Sequence, residues 1–272
     1  MSEIKKVAVI GGGTMGNGIA HVFAQNGFSV NLVETTQEFA DRAMNTINKN
    51  LARLVSKEKI TESEKAKILD RIEPHLDMKA AVQDADLVVE AVPENFDLKK
   101  KIFREIDELA PEHAILASNT SSISITKLAA VTGRPDKFIG MHFFNPVPVM
   151  KLVEVINGLE TAHKTTELIL ETSKKLGKVP VPAEDFPGFV SNRVLMPMIN
   201  EAIFCVHEGV ATAENVDEVM KLGMAHPMGP LRLVDFIGLD VCLDILNVLY
   251  EGFKDPKYRP CPLLVKMVDA GK

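Results

Sequence analysis

Short apolar runs alternate with amphipathic stretches over the first two thirds of the chain. The runs that we predict to be β-strands are Val7–Ile10, Ser29–Glu34, Leu87–Val92, Ala114–Ala117, Phe138–His142, Lys151–Val155 and Val179–Val181. Several of them are apolar at every position, as is typical of strands that a parallel sheet buries on both faces. The intervening stretches have the spacing of helices, so the pattern predicts an α/β fold with a doubly wound, mostly parallel sheet.

One stretch between two predicted strands is longer and more charged than the others. From Gln37 to about Arg71, its apolar residues recur at spacings of three and four, the repeat of one face of a helix. We therefore predict a long helix that returns on itself, so that a helical hairpin is inserted into the α/β domain.

The strand-type pattern stops at Asp185-Phe186-Pro187-Gly188. Beyond it lie amphipathic segments separated by Gly and Pro, namely Val190–Glu208, Glu214–Leu222 and Leu239–Tyr250. The sequence thus predicts two domains, residues 1–186 with the sheet and residues 187–272 with an all-α fold. Because so small a helical domain rarely buries this many apolar residues alone, we expect it to pack against a partner subunit.

Composition and charge narrow the class of function. The 272 residues are 46% hydrophobic and 25% charged, which is typical of folded globular proteins. The formal net charge of −6 gives no overall field that would attract nucleic acid or an anionic membrane. No stretch approaches the roughly 18 apolar residues of a membrane span, and no secretory signal pattern is present, so we expect a cytoplasmic protein. The three cysteines have no CxxC or metal-ligand spacing, so we expect thiols and no metal.

A glycine-rich segment, Gly11-Gly12-Gly13-Thr14-Met15-Gly16, follows the first predicted strand directly and opens a helix. In that context G-x-G-x-x-G is typical of a dinucleotide-binding, Rossmann-type domain. Gly11 would allow the tight turn, Gly13 the close approach of a pyrophosphate and Gly16 the contact of helix with strand. Glu34, 18 residues after Gly16, stands where a carboxylate binds the ribose hydroxyls and, with no cation beside it, favours NAD over NADP. The alternative is a glycine-rich turn that binds no ligand.

Polar residues follow several predicted strands, at the edge where ligands bind in open parallel sheets. They lie in Pro93-Glu94, Ser118–Ser122 and His142–Pro146, and Asn192 lies just beyond the domain boundary. Oxidation of a secondary alcohol with NAD requires a base for the hydroxyl proton, and His142 at a strand end suits that task. Glu154, in the next apolar strand, would orient the imidazole and stabilise its charged form. The alternative is a core histidine beside an unrelated carboxylate.

Two further groups of residues are candidates for substrate binding. Lys49, Arg53 and Lys57 repeat every four residues on one face of the long helix, which suits a multiply phosphorylated ligand. The alternative is an ordinary solvated helix face. Ser121 and Asn192 could hydrogen-bond a substrate oxygen, and the alternative for polar residues in such segments is turn and capping chemistry.

Six segments of the chain match the motifs of one enzyme family. They are Val9–Gly16, Ser118–Ser122, Gly140–Glu154, Pro187–Phe189, Asn192-Arg193 and His226–Pro230. On these segments the chain resembles the short-chain L-3-hydroxyacyl-CoA dehydrogenases, most closely the bacterial 3-hydroxybutyryl-CoA dehydrogenases. The resemblance covers nearly the whole chain. It departs at Arg232, where relatives commonly have Glu, and the sequence stops at Lys272, before a glycine-rich stretch usual in the family.

The resemblance implies an NAD-dependent enzyme that moves hydride reversibly between the cofactor and C3 of a short-chain (S)-3-hydroxyacyl-CoA. In the family pattern His142 is the base and Glu154 its partner, and Ser121 and Asn192 lie around the substrate oxygens. The implied cofactor contacts are Gly11, Gly13, Thr14, Met15, Gly16 and Glu34, with Glu94, Lys99 and Asn119 on the nicotinamide side. The implied CoA contacts are Asn50, Arg53 and Lys57, with Asn145 near the acyl group. The family's helical C-terminal domain forms a homodimer.

The residues leave two other functions open. A dehydrogenase of free 3-hydroxy acids would have no use for a CoA-binding helix face. A non-catalytic NAD-binding protein, such as a redox sensor or a crystallin-like relative, would keep the glycine-rich segment and Glu34 without needing a buried pair of His142 and Glu154.

Overall fold

The computed structural model describes residues 3–272, in which eight β-strands form one sheet. The strands are β1 (Lys6–Ile10), β2 (Ser29–Val33), β3 (Ile72–His75), β4 (Leu87–Glu90), β5 (Ile115–Ser118), β6 (Phe138–Phe143), β7 (Leu152–Asn157) and β8 (Val179–Glu184). Their order in the sheet is β3-β2-β1-β4-β5-β6-β7-β8. All neighbouring strands are parallel except β6 and β7, which are antiparallel. The predicted doubly wound, mostly parallel sheet is confirmed.

Seven α-helices belong to the same part of the chain. They are α1 (Thr14–Gln25), α2 (Gln37–Ser56), α3 (Glu62–Leu69), α4 (Met78–Val82), α5 (Phe96–Leu109), α6 (Ile125–Ala129) and α7 (His163–Lys175). Helices α2 and α3 form the predicted helical hairpin. The side chain of Thr36 caps the start of α2, and a capping box between Thr61 and Glu64 starts α3.

The core of this part lies on both faces of the sheet. The central strands β1 and β4 are buried along almost their whole length, and Val7, Val9, Leu87 and Val89 are each 0% exposed. Helix α1 packs against them with Phe23 and its neighbours. Burial on both faces explains why these strands are apolar at successive positions rather than at alternate ones.

The structure contains one strand that was not predicted, and several strand ends differ from the prediction, most of all that of β8, which runs to Glu184 rather than Val181. Strand β3 was not predicted, because it is a four-residue edge strand in which only Ile72 is buried and Pro74 has no N–H to donate. Strand β4 ends at Glu90 rather than Val92, because the carboxylate of Glu90 accepts the backbone N–H of Val92 and turns the chain out of the sheet.

The chain divides into two compact units, of which the first ends at Asp185 and the second spans Phe186–Lys272. The second unit is all-α, with helices α8 (Ser191–His207), α9 (Ala213–Gly223), α10 (Pro230–Ile237), α11 (Leu239–Phe253) and α12 (Pro262–Asp269). Helices α10 and α12 were not predicted, because each has only eight residues and begins with a proline, which on its own marks a turn as readily as a helix start.

The core of the second unit leaves one helix without a buried face. Ile199 of α8, Leu246 of α11 and Leu264 of α12 meet in this core and are each 0% exposed. Helix α9, in contrast, contributes no buried residue, and its Val219 and Leu222 are 61% and 77% exposed. Across both units, none of the helices in residues 3–272 has the length and apolar character needed to cross a membrane.

Candidate active site

His142 and Glu154 lie directly opposite each other on antiparallel strands. Strand β6 pairs with β7 in the register His142↔Glu154, so both side chains project from the same face of the sheet. The Nδ1 atom of His142 is 2.8 Å from Oε2 of Glu154. The two residues are only 8% and 3% exposed, so they form a nearly buried pair. Neighbouring strands thus bring the two residues together, as their positions in the sequence suggested.

This contact determines which imidazole nitrogen is basic. A buried carboxylate needs a hydrogen-bond donor, and the Nδ1–H group of His142 supplies it. With a proton held on Nδ1, the lone pair of the neutral ring is on Nε2. Phe144 packs beside the ring, with the two ring centroids 4.6 Å apart. The arrangement can accept a proton at Nε2, and the charge of Glu154 would stabilise the imidazolium that results.

The glycine-rich segment forms a tight turn between β1 and α1. Gly13 is the N-cap of α1, so the first N–H groups of the helix are available to an anion in front of it. A Cβ atom on Gly16 would lie 1.7 Å from the carbonyl oxygen of Gly11, an approach that only glycine allows. A Cβ atom on Gly13 would meet no atom within 4 Å, so the space beside it is open. These features fit the pyrophosphate of a dinucleotide, whereas the side chain of Met15 packs partly against the core.

Glu34 follows β2 and lies beside the glycine-rich segment. Its Oε1 accepts the backbone N–H of Gly12 at 2.6 Å, and its Oε2 accepts that of Thr35 at 3.1 Å. The carboxylate borders a cavity of about 770 Å³, which Phe39 and Leu98 also line. Most of the lining is apolar, with Asp77, Glu105, Arg42 and Lys101 as its other charged residues. A cleft of this size that contains the Glu34 carboxylate suits the nucleoside half of a dinucleotide.

A second cavity lies between the glycine-rich segment and the loop after β6. It has a volume of about 400 Å³. Gly13 and Thr14, expected to bind the cofactor, line it together with Asn50 and Asn145, expected to bind the substrate. Other residues of the lining are Gly12, Asn17 and Pro146. Arg42 of α2 lines both cavities. The positive end of α1 and this guanidinium give the second cavity the charge that a phosphate group requires.

Glu94 holds the segment that contains Ser121. Its Oε1 accepts hydrogen bonds from the Thr120 hydroxyl at 2.5 Å, from the Ser121 and Ser122 backbone N–H groups at 3.0 Å, and from the Ser122 hydroxyl at 2.8 Å. Burial alone would raise the pKa of Glu94, but the charge of Lys99 and these hydrogen bonds outweigh it and hold that pKa below its usual value. Glu94 is therefore a carboxylate at neutral pH.

Lys99 lies beneath Glu94 rather than at the surface of the crevice. It is 1% exposed, and its Nζ is 2.5 Å from Oε1 of Glu90, 3.4 Å from Oε2 of Glu94 and 3.2 Å from the carbonyl oxygen of Val92. The other oxygen of Glu90 accepts the Ser118 hydroxyl at 2.7 Å. Because three oxygens already surround the ammonium of Lys99, this geometry disfavours a direct contact of Lys99 with a cofactor.

Glu90 is a site residue that the sequence pattern did not identify, and its partner Ser118 belongs to the predicted segment Ser118–Ser122. They end β4 and β5, and their hydrogen bond ties the two strand ends together. Asn119 continues the connection, since its Oδ1 accepts the backbone N–H of Phe143 at 2.9 Å at the end of β6. A signal was available for Glu90, because a lone carboxylate in an apolar strand needs a buried partner, the same argument that selected Glu154.

The remaining predicted residues lie on separate elements. Arg53 is exposed on α2, and Lys57 is the exposed C-cap of that helix. Asn192 is 9% exposed in α8, within the second unit. Within residues 3–272 no three His, Cys, Asp or Glu side chains lie close enough to hold a metal ion, and the cysteines are unpaired thiols.

Family comparisons cover nearly the whole chain. The family described as "3-hydroxyacyl-CoA dehydrogenase, NAD binding domain" matches residues 6–186. The family described as "3-hydroxyacyl-CoA dehydrogenase, C-terminal domain" matches residues 188–272. The two matches are adjacent, in the order of the two units of the structure.

Individual relatives are similar over the same length. A probable 3-hydroxybutyryl-CoA dehydrogenase of Bacillus subtilis is 55% identical over 99% of this chain and 93% of its own. The 3-hydroxybutyryl-CoA dehydrogenase of Bradyrhizobium diazoefficiens is 56% identical over 98% of this chain and 91% of its own. The crystal structure of (S)-3-hydroxybutyryl-CoA dehydrogenase PaaH1 from Ralstonia eutropha is 52% identical, with a TM-score of 0.96 over 99% of this chain and 95% of that one.

Proposed function

Because the chain belongs to the 3-hydroxyacyl-CoA dehydrogenase family, we propose that it catalyses reversible hydride transfer between NAD(H) and C3 of a short-chain (S)-3-hydroxyacyl-CoA. The substrate pair we propose is 3-hydroxybutyryl-CoA and acetoacetyl-CoA, after the names of the relatives at 52% to 56% identity. The observation that carries the proposal is the buried contact of His142 with Glu154 at 2.8 Å. A protein that only bound NAD would have no use for it.

His142 is the base in this proposal. When bound, NAD⁺ supplies the acceptor for the C3 hydride. The Nε2 atom of His142 takes the hydroxyl proton as the C3–H bond breaks, so the C–O bond becomes a carbonyl. Glu154 stabilises the imidazolium by its charge and keeps Nε2 aimed in one direction through the bond to Nδ1. In the reverse direction His142 returns the proton to the ketone oxygen.

Substrate oxygens are bound by hydroxyl and amide groups in this proposal. Ser121 and Asn192 polarise or position the oxygens, and Asn145 lies near the acyl group. Support for Ser121 comes from Glu94, whose four hydrogen bonds fix the backbone of the segment around it. A hydroxyl on a fixed backbone is preorganised for binding, which lowers the cost of orienting it.

The NAD site extends from the glycine-rich segment to the strand ends. The proposed contacts at the phosphate and adenosine half are Gly11, Gly13, Thr14, Met15, Gly16 and Glu34. On the nicotinamide side we propose Glu94 and Asn119 as contacts and Lys99 as a residue that acts through Glu94, because its ammonium is held by Glu90 and Glu94.

The CoA portion follows helix α2. Asn50 lines the cavity of about 400 Å³ that Asn145 also lines, and Arg53 and Lys57 continue along α2 toward its exposed end. The thioester arm would thus leave the reaction site through this cavity, and the phosphates of the nucleotide end would meet the two cations.

The two domains have separate tasks in this proposal. We propose residues 1–186 as the NAD-binding Rossmann domain and residues 187–272 as the helical domain for substrate binding and homodimer formation. The exposed apolar side chains of α9 support the second role. Sedimentation velocity should give the mass of a dimer, and the mass of a monomer would contradict that role. We also propose a cytoplasmic location, which the three thiol cysteines support.

The test is NADH consumption by the purified protein. With acetoacetyl-CoA we expect kcat/KM to exceed the value with free acetoacetate by about 100-fold or more, because binding of the CoA portion contributes to transition-state stabilisation. We expect NADPH to be a poor substitute for NADH, because Glu34 would repel a 2′-phosphate. Comparable turnover of free acetoacetate would favour a hydroxy-acid dehydrogenase, and binding of NADH without consumption would favour a non-catalytic protein.

A further inference from the structure

Lys178 is a buried cation whose partners are backbone carbonyl groups. It lies just before β8 and is 8% exposed. Its Nζ donates to the carbonyl oxygens of Val147 and Met150, the second at 2.7 Å. The other buried lysine of residues 3–272, Lys99, has a carboxylate partner, whereas Lys178 forms no ion pair within that part of the chain. An ammonium is costly to bury without a counter-charge, so its position calls for an explanation.

The carbonyl groups that Lys178 binds belong to the connection between the two strands of the candidate active site. Residues 144–151, which we call the β6–β7 loop, join the strand of His142 to the strand of Glu154. Within this loop the N–H groups of Val149 and Met150 both donate to the carbonyl oxygen of Pro146 at 2.9 Å. The resulting turn brings the carbonyl groups of Val147 and Met150 to one point, where the ammonium donates to both.

The opposite side of the β6–β7 loop packs on the helix that begins at the glycine-rich segment. A Cβ atom on Gly18 of α1 would lie 2.8 Å from Cβ of Val147 and 3.5 Å from Cδ of Pro148. Val147 itself is 2% exposed. The loop is therefore held between two fixed contacts, a helix surface made flat by a glycine and the ammonium of Lys178.

This arrangement determines the width of the cavity of about 400 Å³. One wall is the loop, with Asn145, Pro146, Val147 and Pro148, and the other includes the glycine-rich segment and α2. If the β6–β7 loop moved away from α1, Asn145 would move as well, because it is part of that loop. A small displacement of such a wall is enough to misplace a bound group.

We propose that Lys178 is a positioning residue for the acyl-CoA substrate. Its ammonium holds the β6–β7 loop against α1, so that Asn145 and the cavity wall keep the placement that the thioester arm requires. The inference rests on the proposed function, because it takes the cavity to be the path of that arm. Lys178 acts through the loop, since its ammonium binds loop carbonyl groups rather than a ligand.

The test compares two substrates in three variants. Lys178→Met removes the ammonium and keeps the apolar stem, Lys178→Arg keeps a donor, and Lys174→Met removes the same charge from an exposed site on α7. For Lys178→Met we expect the KM of acetoacetyl-CoA to rise about tenfold, with kcat and the NADH affinity changed less than about threefold. With the truncated thioester acetoacetyl-N-acetylcysteamine, the same variant should lose clearly less in kcat/KM than with acetoacetyl-CoA, because this substrate keeps the acyl group near Asn145 but lacks most of the arm that passes along the cavity wall.

The controls separate positioning from general destabilisation. Lys178→Arg should raise the KM of acetoacetyl-CoA much less than Lys178→Met does, and Lys174→Met should behave as wild type. A wild-type KM for acetoacetyl-CoA in folded Lys178→Met would overturn the proposal. An equal loss of kcat/KM with both thioesters would overturn it as well. If Lys178→Met does not fold, Gly18→Ala offers a second test, because its added Cβ would push Val147 and the loop away from α1. This variant should raise the KM of acetoacetyl-CoA more than that of the truncated thioester. Unchanged kinetics in Gly18→Ala would then overturn it.

A second measurement keeps this inference distinct from the proposed function. If the wild-type protein consumes no NADH with acetoacetyl-CoA, the proposed function is wrong. Hydrogen–deuterium exchange still tests whether Lys178 holds the β6–β7 loop. The amides of Val149 and Met150 should exchange faster in Lys178→Met than in Lys174→Met, because the turn around Pro146 loses its anchor. Equal exchange in the two variants would show that the ammonium does not hold the loop.

Discussion

The His142 imidazole receives its direction from one carboxylate. Glu154 faces it across a strand pair, and the contact of 2.8 Å joins Oε2 to Nδ1. Because the two residues are in register on a buried part of the sheet, neither side chain has much freedom to turn away. The direction in which Nε2 points thus depends on the position of Glu154, a residue behind the imidazole.

Replacing Glu154 by glutamine should preserve the shape of the pair and remove its charge. The amide would no longer stabilise an imidazolium, and by donating its own N–H to Nδ1 it would favour the wrong tautomer. We expect kcat for acetoacetyl-CoA reduction to fall by about 10² to 10⁴-fold, with NADH affinity unchanged. Steady-state kinetics and NADH fluorescence titration check this. Glu160→Gln, at an exposed position, is the matched control, and equal kinetics of the two variants would refute the assigned role.

At the scale of single elements, the ends of β4, β5 and β6 are joined by side chains. Glu90 binds Ser118 and Lys99, and Asn119 binds the backbone of Phe143. Glu90 and Ser118 are the last paired residues of β4 and β5, so these side-chain contacts reinforce the end of the backbone ladder and fix the loops that follow. Buried polar contacts therefore fix the strand ends from which the residues of the candidate site project.

Removing the charge of Lys99 alone should lower the free energy of unfolding more than removing the charges of both Lys99 and Glu90. Lys99→Met leaves the carboxylate of Glu90 buried without its cation, which should lower the unfolding free energy by about 3 to 5 kcal/mol. In the double variant with Glu90→Gln, more than half of that loss should be recovered. Urea unfolding followed by circular dichroism measures both.

The matched control is the surface pair of Lys6 and Asp84, whose side chains are 32% and 56% exposed. Lys6→Met should cost less than about 1 kcal/mol, because solvent screens such pairs. A similarly small loss in Lys99→Met would mean that water already reaches the buried pair.

Sequence patterns predicted those elements whose signal is local. Strand β1, the glycine-rich segment and the hairpin of α2 and α3 each carry their own periodicity, turn chemistry or caps. Strand β3 carries none, since three of its four residues are not buried and one is proline. Its place depends on pairing with β2, a contact between distant segments that no local pattern encodes.

The same distinction applies to the site. Glu154 could be placed near His142 because the two strands follow each other in the chain. The sequence did not indicate which residue pairs with Glu90. Lys99 lies in α5, and only the packing of that helix places its ammonium beside the Glu90 carboxylate. Likewise Lys178 binds a loop about 30 residues earlier, a contact decided by the arrangement of β7 and β8.

At the scale of the whole molecule, one buried histidine should make stability depend on pH. His21 of α1 is 1% exposed, and burial, aided by the nearby charge of Lys178, lowers its pKa from 6.5 to about 4. Between these two values the unfolded chain binds a proton that the folded chain does not, so stability falls as the pH falls. From pH 7 to pH 5 this one group should remove about 2 kcal/mol of unfolding free energy.

The variant His21→Gln isolates that contribution. It carries no titrating group at this position, so its unfolding free energy should decline less than that of wild type over the same pH range. Urea unfolding of both proteins at pH 7 and pH 5 gives the comparison. Equal declines would show that His21 is protonated in the folded state without penalty.

The central claim, that His142 is the proton acceptor of an NAD-dependent 3-hydroxyacyl-CoA dehydrogenase, has one direct test. NADH absorbance is followed with acetoacetyl-CoA for wild type and His142→Gln, with NADH binding measured separately. We predict rapid consumption by wild type and a fall in kcat of about 10² to 10⁴-fold in the variant, with NADH bound as tightly as before. Near wild-type turnover by His142→Gln would contradict the claim.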